Sequence, residues 1–314
     1  MTAPAGSAVT VRVPGSTSNC GAGFDSLGLA VQLYNEVTVA WTRAAQGGRA
    51  IRGGPARAVP AAAADARASA MAASAAAAFF RAAGRKPRSF RFHVAGDVPV
   101  ARGLGSSVTV IAGVIAGLNA LSGAGLSRHD IVGLVTAEEG HPDNASAGVL
   151  GGFCVARCEP RSGKYLDTVR FAVPDRVALV VASPEAELLT RASRGVLPRV
   201  LPYFDAVRSI NSAAYVVAAF AAEDYERLRH AGGDFMHEPY RLPRIRGAAP
   251  AIAAGVAAGA HTGWLSGSGS SVLCVAERPG AAAVAAAMLQ AFAAAGVKAS
   301  ARVLAADNYG LRLA

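Results

Sequence analysis

The stretch PVARGLGSSVTVIAGVIAGLNAL, residues 99–121, decides how this chain is read. A proline opens it, glycine and serine fill residues 103–107 apart from Leu104, and an apolar run then continues without proline to Leu121. The pattern predicts a loop that leads into a buried helix. The first N–H groups of a helix have no intrahelical partner, and the aligned peptide dipoles make that end partly positive. Glycine lets the backbone come close to an anion, so Gly103, Leu104, Gly105, Ser106 and Ser107 read as a phosphate cradle. The two serine hydroxyls can bond phosphate oxygens or reach a metal. On these residues alone, a plain turn before a helix is an equal reading.

Two common nucleotide loops are excluded. The Walker-type loop needs Gly-x-x-x-x-Gly-Lys-Ser/Thr, and this stretch has no lysine. The dinucleotide fingerprint needs a third glycine where Val108 stands. Lysine occurs only as Lys86, Lys164 and Lys298. Magnesium and arginine are therefore the groups left to offset phosphate charge.

Towards the C-terminus, Ser127 with Asp130 three residues on predicts a capped helix start. Ile131, Val132, Leu134 and Val135 form its apolar face, and the helix ends in Glu138-Glu139-Gly140. Carboxylates there face the negative end of the helix dipole and cost a few tenths of a kcal/mol. A solvated helix end accounts for them, and so does a bound Mg²⁺ that takes Glu139 as a hard oxygen ligand. His141-Pro142-Asp143-Asn144 then reads as a proline-bent turn holding an imidazole, a carboxylate and an amide.

Towards the N-terminus, Val9, Val11 and Val13 alternate with polar residues and predict a strand ended by Pro14. A Ser/Thr/Gly-rich loop follows, then alternation over Val31–Trp41, an alanine-rich helix over Asp65–Ala83 with Asp65 as N-cap, and a strand over Phe90–Val94. Beyond residue 160 the reading is a strand at Ala178–Ala182, a helix at Asn211–Ala222 and a second Gly/Ser loop before a strand within Gly263–Val275. A packing helix near Ala281–Val297 and a strand at Ala301–Leu304 complete it. Strands and helices alternate in both halves, which predicts an α+β or α/β chain of two lobes.

The net charge of +10 comes almost wholly from scattered arginines, with no basic run interleaved with aromatics, so it reads as a solvated basic surface and not as a nucleic-acid site. Neither a signal peptide nor a membrane span is legible, which points to a cytoplasmic protein. Cys20, Cys154, Cys158 and Cys274 lack zinc-like spacing and read as buried free thiols in a reducing compartment.

Three motifs occur in order: VPGSTSNCGAGFD (residues 13–25), PVARGLGSS (99–107) and SGSGSS (266–271). Together they resemble the kinase superfamily that covers galactokinase, homoserine kinase, mevalonate kinase and phosphomevalonate kinase. Within it the chain is similar to the homoserine kinase family. Asn19 and Asp25 match its first motif, and Glu139-Gly140-His141-Pro142-Asp143-Asn144 matches its Glu-Gly-His-Pro-Asp-Asn. Thr190-x-x-Ser193-Arg194-x-x-Leu197-Pro198 and Pro239-Tyr240-Arg241 match two further elements. Departures are Gly15, Cys20, Val108 and Ser270-Ser271, where that family has alanine, leucine, alanine and proline-threonine.

The resemblance implies an α+β fold of two lobes. An N-terminal ATP-binding lobe like domain 2 of ribosomal protein S5 would span 1–162, and a ferredoxin-like lobe 163–314. It implies ATP and L-homoserine as substrates, phosphorylated homoserine for threonine synthesis as product, and a homodimer as a common assembly. Pro99, Arg102 and Gly103–Ser107 would hold the nucleotide, and Ser107 with Glu139 would hold Mg²⁺. Asn19 and Asp25 would take the substrate ammonium, and Arg194 and Arg241 its carboxylate. His141 and Asn144 would line the pocket near the hydroxyl, and His141, Asn144 and Arg194 would serve catalysis. An amide such as Asn144 is no base at neutral pH, so the alcohol would attack the γ-phosphate directly, with positioning and charge stabilisation as the means. A kinase for another alcohol and a non-catalytic nucleotide binder are the alternatives.

Overall fold

The computed structural model describes residues 6–42, 58–60, 66–185 and 194–314. Its architecture is α+β with two sheets. The first is built on a long antiparallel pair, β1 (Ala8–Ser18) and β2 (Leu27–Trp41). β4 (Phe90–Gly96) extends it on the β2 side, with β3 (Ala58–Pro60) parallel beyond. β5 (Phe153–Cys158) pairs with the start of β2, and β6 (Tyr165–Phe171) with β5. The second sheet has the order β10 (Ala299–Leu304), β7 (Val177–Pro184), β9 (Val272–Glu277), β8 (Thr262–Leu265), all antiparallel.

Four helices cover the first sheet: α1 (Ala66–Ala82), α2 (Ser106–Ser122), α3 (Arg128–Glu139) and α4 (Asp143–Leu150). The apolar run after Ser107 forms α2, which is buried along nearly its whole length. A helix apolar on all sides belongs inside the protein. The Ser127/Asp130 capping box forms as expected, and Gly140 ends α3 in the left-handed region. Asp65, expected to cap α1, lies outside the described residues.

Several boundaries differ from the sequence reading. Pro14 does not end β1, because the pairing register shifts between Pro14 and Gly15, and a residue without an N–H is tolerated at such a shift. Pro142 is not a bare turn, since it caps α4. The helix expected over Asn211–Ala222 begins earlier, as α5 (Tyr203–Ala221). The division expected at 162/163 falls within the β5–β6 hairpin. β6 stays in the first sheet, the second sheet starts at Val177, and β11 (Arg312–Leu313) returns to pair with β1. Strand pairing over a distance decides this, and composition carries no trace of it.

The second sheet is buried on both faces. Even-numbered Ala178, Val180 and Ala182 of β7 pack with α7 (Ala248–Ala257) and α8 (Ala281–Ala294). Odd-numbered Val177, Leu179 and Val181 meet Leu27, Leu29, Val31 and Phe153 of the first sheet. That double burial explains why β7 reads as a continuous apolar run and not an alternation. Phe153 stacks on Phe220 of α5 at 3.9 Å within this shared core. The two lobes are therefore joined by packing as well as by chain.

Asp307 secures the returning C-terminal segment. Its buried carboxylate accepts from Tyr34 Oη (2.9 Å), Arg312 Nη2 (2.7 Å) and the N–H groups of Tyr309 (2.9 Å) and Gly310 (2.7 Å). Asp307→Ala leaves these donors without their acceptor and should lower stability by ~3 kcal/mol in urea unfolding.

Candidate active site

The three motifs meet at one point between the sheets. Ser266 Oγ lies 2.7 Å from the Gly103 carbonyl, which accepts, and 2.9 Å from Thr17 Oγ1. Gly267 N–H donates to Ser18 O (3.2 Å), Ser271 N–H to Arg102 O (3.2 Å) and Ser16 N–H to Leu104 O (3.1 Å). Trp264 Nε1–H donates to Thr17 Oγ1 at 3.1 Å. Gly103 has φ +76, and a Cβ there would collide with the Ser266 carbonyl. The third motif thus clamps the first two, and its Ser266, Ser270 and Ser271 are buried in that joint.

Above the joint opens a cleft of about 460 Å³. The N-terminus of α2 points into it. Gly105 precedes the helix with φ 70, and no side chain caps the first turn. The first backbone donor to find a helical carbonyl is Thr109 N–H, so those before it are available to a ligand. Arg102 lines the same cleft, and its buried Nη1 has no hydrogen-bond partner among the described residues. These unmet donors fit a polyphosphate. Met71, Phe92, Val94 and Val110 line a more apolar part of the cleft, suited to a flat base. The sequence reading did not assign them, because they come from two helices and a strand, α1, α2 and β4, that only the fold brings together.

Ser107 and Glu139 come together at the cleft wall. Burial pushes the Glu139 carboxyl above its ordinary range, while a hydrogen bond from Ser107 pulls the other way. A desolvated carboxylate beside a hydroxyl is a fitting hard-oxygen pair for Mg²⁺. Pro99 and Leu104, expected in the nucleotide set, do not line this cleft. Leu104 is spent in the core between the lobes, and Pro99 borders a separate small cavity with Arg302 and Glu185.

Charged side chains of both signs converge at the other end. Asp25, His141 and Asp143 place ligand atoms within 4.8 Å of one another. His141 Nδ1 lies 2.5 Å from Asp143 Oδ1. Burial opposes charge on the imidazole, but Asp143 outweighs it and raises its pKa to about 9. Asp143 is itself buried, yet His141 and the Asn144 N–H hold its carboxyl below the usual range. The two form an ion pair at neutral pH. Asn144 Oδ1 accepts from Ser16 Oγ (2.8 Å) and its Nδ2 donates to Ser18 Oγ (2.9 Å). Asn19 is buried, and it orders the turn by accepting from Asp25 N–H (3.1 Å) and donating to Gly267 O (3.1 Å).

Arg194 meets Asp25 directly, at 2.8 and 3.2 Å. Arg194 and Arg241 both approach the ring of Phe24, at 5.5 and 5.3 Å from its centre. Burial, and then the nearby Arg194, lower the Arg241 guanidinium to about 10. Phe24 was not singled out by sequence reasoning. Its neighbour Asp25 was, and an aromatic beside it had no chemical role until the fold brought two guanidinia to its ring. Glu238 directly precedes the Pro239-Tyr240-Arg241 element. Its carboxylate accepts from Leu265 N–H at 2.7 Å and ties the helical turn α6 (Glu238–Arg241) to the end of β8, just before the third motif. Thr190 and Ser193 lie outside the described residues.

The GHMP kinases N terminal domain matches residues 70–152 and the GHMP kinases C terminal model 216–295. A homoserine kinase of Moorella thermoacetica is 38% identical, over 96% of this chain and 98% of that protein. The chain belongs to the homoserine kinase family. Another such relative, from Nostoc punctiforme, is 35% identical over 98% of both chains. The crystal structure of homoserine kinase from Cytophaga hutchinsonii superposes with a TM-score of 0.84 at 22% identity, covering 98% of this chain and 97% of that one. The L. major mevalonate kinase in complex with R-mevalonate gives a TM-score of 0.67 at 15% identity, over 99% and 100%. The fold is thus shared with a kinase of another alcohol, so the fold alone does not name the substrate.

Two outcomes follow from this geometry. Gly105→Ala forces a Cβ to 2.5 Å from Ser16 Oγ at a left-handed position. It should weaken ATP binding about 10–100-fold by titration calorimetry, the scale of ~1–3 kcal/mol for strain plus misplaced donors. His141 has its folded pKa raised, so its stabilisation is complete below about 6.5 and is lost as pH climbs through about 9. Between those values the wild type should lose about 2 kcal/mol relative to His141→Gln, read from urea midpoints.

Proposed function

We propose that this protein transfers the γ-phosphoryl group of ATP to the hydroxyl of L-homoserine, giving O-phospho-L-homoserine for threonine synthesis. One observation carries the reading. A cluster of opposed charges, Asp25 and Asp143 against His141, Arg194 and Arg241, borders the same cleft as an uncapped helix N-terminus. A zwitterion beside a polyphosphate satisfies all of these groups at once. Mevalonate-like and sugar alcohols carry no ammonium, so Asp25 would have no cationic partner among their groups.

The Asp25–Arg194 pair is part-exposed, with side chains 30% and 40% accessible. Such a pair contributes at most ~1 kcal/mol. An amino acid can therefore exchange with it cheaply, its ammonium going to Asp25 and its carboxylate to Arg194. Arg241 offers a second fork, and an anion would relieve the like-charge strain between the two guanidinia. Arg194 serves catalysis in this sense, by fixing the substrate and not by touching the phosphate.

The γ-phosphate faces the N–H groups that precede Thr109, the Ser106 hydroxyl and Arg102. Ser107 and Glu139 would hold Mg²⁺, which when bound would offset the negative charge of the phosphate groups. Among the described residues, no side chain assigned near the hydroxyl is a good base at neutral pH. Asn144 is an amide already bonded to Ser16 and Ser18, and Asp143 is held ionised by His141. A carboxyl with so low a proton affinity gains little from taking one. The alcohol then attacks directly, its proton leaving with the phosphate oxygens, as a loose transition state allows.

ADP release with L-homoserine in the presence of Mg²⁺ tests the reading, and the absence of turnover would refute it. Arg241→Ala should raise the KM for homoserine by a factor matching ~2–4 kcal/mol, with the KM for ATP little changed. Glu139→Gln should abolish Mg²⁺-dependent tightening of ATP while the fold stays intact by circular dichroism.

A further inference from the structure

The amino-acid end of the cleft is made from two pieces of chain in different lobes. The turn between β1 and β2 carries Asn19, Phe24 and Asp25. The turn α6 (Glu238–Arg241) carries Arg241 and belongs with the second lobe. Their separation sets the distance between the ammonium and carboxylate subsites, and covalent bonds fix nothing across that gap.

His237 stands in the gap, fully buried and outside the lining of the cleft. Its Nε2 lies 2.9 Å from the Gly21 carbonyl, which can only accept, so that nitrogen carries the proton. Asp234 Oδ2 is farther from Nε2, at 3.7 Å. Asp234 is spent on the backbone instead, accepting from the N–H groups of Met236 (2.9 Å), His237 (2.6 Å) and Glu238 (2.6 Å). This fixes the start of the turn from which the imidazole projects. The imidazole ring lies 5.4 Å from Phe24, the ring that both Arg194 and Arg241 approach. Nδ1 is buried with no hydrogen-bond partner among the described residues. Burial lowers the basicity of this histidine, which keeps it neutral and a donor at Nε2 only. A buried polar ring with one unmet nitrogen is poor material for a core, and its single directed bond crosses between the lobes.

We infer that His237 is a positioning residue for the amino-acid substrate, its Nε2–H···O=C bond to Gly21 holding the Asp25 turn of one lobe at a set distance from the Arg241 turn of the other. His237 touches neither the phosphate nor the reacting hydroxyl. It acts through the spacing of the charged groups that receive the two ends of one α-amino acid. The inference rests on the homoserine reading above for its substrate, but the contact itself does not.

Three substitutions separate this from a purely structural role. His237→Gln can place an amide N–H near the position of Nε2. His237→Asn stops short of Gly21, and His237→Met fills the space without a donor. Steady-state kinetics should show the KM for homoserine raised at least tenfold in His237→Met and His237→Asn, the KM for ATP within about twofold, and most of the loss recovered in His237→Gln. Hydrogen exchange should rise in peptides covering residues 19–27 and 236–242 in the first two variants only. An unchanged KM for homoserine, parallel changes in both KM values, or a Gln variant as impaired as Met would each overturn the inference. If His237→Met does not fold, His237→Asn reads the same loss. Should the wild type give no turnover with homoserine, the functional reading fails by itself, and the exchange pattern across the variants still decides whether His237 couples the two turns.

Discussion

The molecule depends on the contact of three glycine- and serine-rich loops at the seam between its sheets. Gly103 approaches the Ser266 carbonyl so closely that any side chain there would collide, and Ser266 Oγ reaches both Gly103 O and Thr17 Oγ1. This contact sets where the loop before α2 lies, and hence where the N-terminus of α2 points. It also brings the β1–β2 turn against the second lobe. The two ends of the cleft, proposed for phosphate and for the amino acid, therefore share one anchor. Small residues are required because three backbones converge, and backbone groups there find partners in one another.

Electrostatics divides the cleft once the backbone has shaped it. The nucleotide end is a region of unmet donors: helix N–H groups and a buried guanidinium nitrogen. The other end is nearly balanced, with two carboxylates, one imidazolium and two guanidinia facing one another. A site of the first kind attracts anions of any shape. A site of the second kind selects a ligand that carries both charges at the right separation, and this is where kinases sharing the fold can diverge in substrate. The ion pairs also explain why the residues near the hydroxyl are poor bases. Asp143 is already committed to His141, and Asn144 to two serines of β1.

Much of this was legible in the chain. The run from Pro99 to Leu121 announced a loop and a buried helix, because glycine spacing and apolar length are local signals. The Ser127/Asp130 cap and the Glu138-Glu139 ending of α3 were readable for the same reason. Pro14 and Pro142 misled, since proline has more than one use: it sits at a register shift in one case and starts a helix in the other. The lobe boundary could not be read, because β6 and β11 belong to the first sheet only through pairings with distant strands.

The sequence by itself determined which chemistry is available: a cradle without lysine, a carboxylate and hydroxyl for a metal, and an amide where a base could have stood. Residue type and short-range spacing suffice for that. Only the tertiary structure decided which groups share a partner. Asp25 and Arg194 are 169 residues apart and form one ion pair, and Phe24 meets two guanidinia from different parts of the chain. His237 reaches a carbonyl 216 residues away. The physical reason is that charge selectivity depends on distances between groups, and those distances are set by packing and strand pairing that no local pattern records.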